Sequence, residues 1–154
     1  MRLWFLLVVA MAWAAAPARA ETVVLGYRPG GMVMEHMREA DRWLQDGANI
    51  EVTDWQMSAA AMELVYFHRR GGTICYRDSS PLERAYLQFH QPQSNGVAVK
   101  DYRAVFVLFM GEEITALIGP VVVDQYRPVH ASEVGIPLCV QGAVAQSAAE
   151  SIVQ

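Results

Sequence analysis

The feature that most constrains this chain is an alternation of short apolar strands and helices between residues 22 and 89. Thr22-Val23-Val24-Leu25-Gly26-Tyr27 reads as a strand, and Arg28-Pro29-Gly30-Gly31 ends it with turn chemistry. Val33, Met37, Ala40 and Leu44 then recur at helical spacing, and Gly47 stands where a helix stop belongs. Ala48 to Thr53 reads as a second strand. Ala59 to Phe67 is apolar almost throughout and reads as a buried helix, with Gly71-Gly72 beyond it. Thr73 to Tyr76 and Tyr86 to Phe89 read as further strands. Strands joined through helices by short connections pair in parallel, because a parallel neighbour requires a crossover. The expected fold is therefore a single α/β domain with a mainly parallel sheet flanked by helices.

Later segments are less regular. Gln91 to Gly96 is a polar loop. Asp101 to Met110 predicts a helix with Tyr102, Val105, Phe106 and Phe109 on one side. Glu112 to Val123 is expected to continue helical up to a break at Gly119-Pro120. Ala131 to Gly135 reads as a turn or short helix before a last apolar segment, Ile136 to Val140. The Ala-, Gln- and Ser-rich stretch 141–154 is expected to be a frayed tail.

Residues 1–20 read as a secretory signal peptide. Arg2 supplies the positive end, Leu3 to Trp13 is an apolar stretch too short for a comfortable span, and Ala18-Arg19-Ala20 is a small-x-small cleavage signal. Cleavage after Ala20 leaves 134 residues (154 less 20), enough for one core, here residues 21–140. The expected location is the periplasm or the outside of a bacterial cell, with no integral membrane segment after cleavage. Without Arg2 and Arg19 the chain carries 10 basic and 16 acidic residues, a net charge of −6. Lys100 is its one lysine, no basic stripe exists, and nucleic-acid binding is not indicated. Cys75 and Cys139 are the only cysteines, and in an oxidising compartment the default is a disulfide. Their spacing shows no metal-ligand pattern, and no cofactor motif is present.

Ligand sites in parallel sheets lie beyond the carboxyl ends of the strands. Gly30-Gly31, Ser58 and His90 each follow a predicted strand and so gather at one sheet edge. Their types suit acyl transfer. Ser58 opens a helix, where N–H groups and the helix dipole favour negative charge. His90 can act as the base. Asp124, after Val121-Val122-Val123, can fix the histidine tautomer, with Glu133 as the alternative. Lys100 is a remote alternative base.

These residues carry a resemblance. Arg28-Pro29-Gly30-Gly31, Ser58 opening a buried helix, His90-Gln91-Pro92 after a strand, and Asp124 before Ala131-Ser132-Glu133-Val134-Gly135 occur in the order of the Clp protease proteolytic-subunit family. The similarity covers roughly residues 22–136 and is closer still to small exported Clp-like proteins of bacteria. It implies a Clp/crotonase-like fold with a reduced handle, Ser58 as nucleophile, His90 as base, Asp124 as orienting acid, and Gly31 and Ala59 as oxyanion donors. It also implies a peptide or protein substrate and a homo-oligomer. The alternative is a catalytically inactive Clp-like module that binds a partner or self-assembles in the cell envelope, which the apolar content of 53% also suits.

Overall fold

The computed structural model describes residues 20–77 and 86–140. The expected signal peptide, the Asp78-Ser79-Ser80-Pro81 loop and the expected tail from residue 141 lie outside the described residues, Ala20 excepted. No helix among the described residues is long and apolar enough to cross a membrane.

The described chain is mixed α/β. Strand β1 (Thr22–Leu25) leads to helix α1 (Val33–Asp46), β2 (Asn49–Val52), a two-residue β3 (Gln56–Met57), α2 (Ala59–Arg69) and β4 (Thr73–Tyr76). Then come β5 (Tyr86–Phe89), the β6 (Gln93–Ser94) and β7 (Val97–Ala98) hairpin, α3 (Tyr102–Met110), α4 (Glu112–Ile118), β8 (Arg127–His130) and a 3-10 turn at Ala131–Val134. One sheet has the order β1-β2-β4 and is parallel throughout. A second has the order β3-β5-β8, with β3 parallel and β8 antiparallel to β5.

The expectation of one parallel sheet therefore needs correction. The strand after α1 stops at Val52 rather than running on toward Ser58, and the chain re-pairs as β3 in the second sheet. The bend has a local cause. Leu25 pairs with Val52, and Arg28 next pairs with Gln56, so three steps on one strand match four on the other. One extra residue kinks the strand as a bulge does. Side chains then satisfy the exposed backbone: Thr53 Oγ1 donates to Leu25 O, and Gln56 Nε2 donates to Gly26 O. This is why a glutamine can be fully buried there.

Helix α1 ends at Gly47 in the left-handed conformation, φ 64°, with its N–H on Leu44 O. Met37, Ala40 and Trp43 form its buried face. Helix α2 is buried on nearly every side, packed against α1 and α3. Its Phe67 ring meets Trp43 edge-on at 5.9 Å. The Phe67 ring also fills the space a side chain would need at Gly72, where an added Cβ would sit 2.3 Å from it.

The helix from Glu112 ends at Ile118, at the expected Gly119-Pro120 break, where Gly119 adopts φ 69° and ψ −159°. The residues after it turn back, and Val122 pairs with Gln125. Cys75 and Cys139 stand at disulfide-bonding distance, 2.05 Å, with 4.9 Å between their Cα atoms. The same crossing is hydrogen-bonded, Tyr76 N to Pro137 O and Cys139 N to Tyr76 O, so the last apolar segment adds to the β4 edge.

Candidate functional site

Three parallel segments run side by side to one edge. Arg28 N donates to Trp55 O and Met57 N donates to Arg28 O. Met57 is in register with Gln88 across β3 and β5. From this edge leave, in spatial order, the Gly30-Gly31 turn, Ser58 and His90. All four residues line a single cleft of about 830 Å³.

Ser58 is the junction between β3 and α2. Its N–H donates to Gln88 O at 2.6 Å, and its own carbonyl accepts from Met62 N as the helix begins. Its backbone is at φ 53° and ψ −116°, one of two positive-φ residues other than glycine among those described. Such a conformation costs about 1–3 kcal/mol and persists only where its surroundings impose it. A strained residue at a strand-to-helix turn is also the setting of the serine in a nucleophile elbow. No side-chain cap hydrogen bond is made by Ser58, so its role is not that of an ordinary N-cap.

Gly30 lies directly against it. A Cβ added at Gly30 would stand 2.6 Å from Ser58 Cβ and 3.1 Å from Ser58 Oγ. Glycine is thus required by the close approach of the turn to the serine. The first N–H groups of α2, Ala59 foremost, have no acceptor within their own helix. Such N–H groups, with those of the Gly30-Gly31 turn, can donate to an anion in the cleft.

His90 is half-buried, its ring edge-on to Tyr126 with centroids 4.9 Å apart. Its Nδ1 is buried without a hydrogen-bond partner. Asp124 does not fill that vacancy. The pairing of Val122 with Gln125 holds it in an exposed turn, although Gln91 N donates to Val122 O and brings that turn beside His90. Glu133, the alternative, is committed elsewhere: its carboxylate accepts from His130 N and caps the 3-10 turn. Lys100 is exposed beyond the β6-β7 hairpin and does not line the cleft.

No family model, characterised protein or solved structure matches the chain.

Beneath the Gly30-Gly31 turn lies a charged network that sequence reasoning missed. Glu63 of α2 is fully buried. Arg28 Nη1 donates to its Oε2 at 2.7 Å, and His36 Nδ1 lies 2.7 Å from the same oxygen. Arg28 Nη2 donates to Glu39 Oε2, and its guanidinium stands over the Trp43 ring. Burial, aided by the neighbouring Glu39 charge, raises the Glu63 pKa to about 9, outweighing the opposing effect of Arg28. Burial first, then Arg28, lowers that of His36. Both groups are therefore neutral near pH 7, and Glu63 Oε2–H can donate to His36 Nδ1 while accepting from Arg28. The ligand atoms of His36, Glu39 and Glu63 lie within 4.8 Å of one another. Arg28 already supplies positive charge to both carboxyl groups. The network ties the residue before Pro29 to both helices, and His36 Nε2 lies 3.1 Å from where a Gly31 Cβ would be. One signal was available: Glu63 is the only charged residue between Ala59 and Phe67.

Proposed function

We propose that this protein is a serine hydrolase in which Ser58 is the nucleophile and His90 the general base. The observation that carries the reading is the strained Ser58 at a strand-to-helix junction, pressed against Gly30 and sharing a cleft with His90. His90 takes the Ser58 proton as Oγ attacks an acyl carbonyl. The Gly31 and Ala59 N–H groups receive the oxyanion, each donor contributing about 3 kcal/mol in such sites. His90 then protonates the leaving group, and water releases the acyl group by the reverse sequence.

With Asp124 held away from His90 Nδ1, the pair works as a dyad. Loss of the orienting carboxylate lowers turnover by about 10⁴ in a complete triad, so slow turnover is expected here. The order of Gly30-Gly31, Ser58 and His90 supports a Clp/crotonase-like fold and, by that resemblance, a peptide substrate and self-association. The pairing distance of Cys75 and Cys139 fits export to an oxidising compartment.

A second reading, a non-catalytic binding module, draws on the apolar residues exposed around the cleft, with Leu108 at 74% and Met32 at 66%. Hydrolysis of p-nitrophenyl acetate separates the two. The hydrolase reading requires turnover that disappears in Ser58→Ala and in His90→Ala. Folded wild-type protein without turnover, or variants that retain it, favours the module.

A further inference from the structure

The walls of the Ser58 cleft differ from its floor. Met32, Val33 and Met34, at the start of α1, face Val105, Leu108 and Phe109 of α3. No Asp, Glu, Lys or Arg is among the described residues that line it. A charged substrate would find no counter-ion there. Polar side chains on the cleft are confined to Ser58, His90, Tyr126 and the Gln93-Ser94-Asn95 hairpin. A peptide would bring a polar amide every few ångströms, whereas the walls offer apolar surface. Leu108, Met32 and Met34 are exposed by 74%, 66% and 53%, so a chain laid between the walls would remove a large apolar area from water. The volume of about 830 Å³ lies within the range of about 300–1,000 Å³ usual for small-molecule sites.

We propose that the cleft takes an ester or thioester of a neutral apolar acyl chain, in place of the peptide that the resemblance suggests. The proposal rests on Ser58 being the nucleophile. Oγ forms a bond to the acyl carbon and the bond to the alcohol or thiol breaks. The proton from Oγ passes through His90 to the leaving oxygen or sulfur. Water then cleaves the acyl-enzyme to the carboxylic acid and restores the Ser58 hydroxyl.

The test is a chain-length series of p-nitrophenyl esters from acetate to octanoate, with the mono-p-nitrophenyl ester of glutaric acid against the pentanoate as the charged control. Each added methylene should raise kcat/KM by about fourfold while the chain remains between the walls. The glutarate ester should be much slower than the pentanoate. Leu108→Asp, at an exposed position, should flatten the length dependence. A flat or falling series, an equally fast glutarate ester, or a peptide cleaved faster than the octanoate overturns the proposal. Calorimetric binding of octanamide and acetamide to Ser58→Ala separates the two claims. Preference for octanamide without any Ser58-dependent esterase activity keeps the apolar cleft and removes the hydrolase reading. Ser58-dependent turnover with no chain-length preference does the reverse.

Discussion

The buried Glu63 makes a signed prediction about stability. Its carboxyl is fully buried, and its pKa rises from 4.5 to about 9 because the charged form loses its hydration and faces Glu39. A raised folded-state pKa stabilises the fold fully below the unfolded value, and that stability is lost as pH rises through the folded value. Between these values the unfolded chain has released a proton that the folded chain still holds. The loss is about 1.4 kcal/mol per pH unit. His36 acts in the opposite sense, since its pKa is lowered from 6.5, but only below 6.5, where the unfolded imidazole takes up a proton. The window from about pH 6.5 to 8.5 therefore isolates Glu63, and its span predicts a loss of about 3 kcal/mol. For a domain of this size that is roughly 10 °C in Tm. Glu63→Gln keeps the shape and an acceptor for Arg28 but has no proton to lose. The stability of the variant relative to wild type should rise by about 3 kcal/mol between about pH 6.5 and pH 8.5, whatever the offset between them at pH 6.5. Urea unfolding at each pH measures both, and the other titrating groups cancel in the difference. Parallel curves, or a wild type that gains on the variant as pH rises, would show that Arg28 keeps Glu63 ionised and would refute the reasoning.

Three further outcomes are expected. Gly30→Ala places a Cβ 2.6 Å from Ser58 Cβ, so the turn or the serine must move; a shift of about 1 Å should lower kcat/KM about 100-fold, at a stability loss of about 1–3 kcal/mol. Asp124→Asn should leave kcat/KM within about a factor of three, and a loss near 10⁴ would instead show that the turn closes on His90 during catalysis. Replacing Cys75 and Cys139 together by alanine should lower unfolding free energy by about 4 kcal/mol, the loop-entropy value for a separation of 64 residues, read by denaturant titration.

Much of the fold was legible where local chemistry and tertiary structure agree. Thr73–Tyr76 and Tyr86–Phe89 fall where the sequence predicts them, being short, β-prone and apolar. Gly47 stops α1 as expected, since only glycine takes that φ without strain. Four strands were not legible, among them the β6-β7 hairpin, whose two-residue arms fall in and just after a stretch that reads as a polar loop. Gln56–Met57 is only two residues long, and its glutamine is buried because Gly26 O and Asp54 O accept from its amide, which no local pattern signals. Arg127–His130 is polar and carries Pro128, which its edge position tolerates. In the site, Gly30-Gly31, Ser58 and His90 gather at one edge as expected, but through the unforeseen β3 and its bridge to Arg28 rather than through a single sheet. Asp124 was judged by the apolar run before it, but its position depends on the turn that Gly119 and the Val122–Gln125 pairing create. Glu63 is a single charge in an otherwise apolar helix, and nothing beside it in sequence signals its partners. Its partners Arg28, His36 and Glu39 lie 24 or more residues away in sequence, beyond any local pattern.

The central claim is that Ser58 is an activated nucleophile. Exposure of the folded protein to a fluorophosphonate, followed by intact-mass and peptide mass measurement, tests it most directly. One adduct per chain is expected, located on Ser58, absent from Ser58→Ala and much slower to form in His90→Ala. Folded wild-type protein that stays unmodified, or an adduct on another residue, would contradict it.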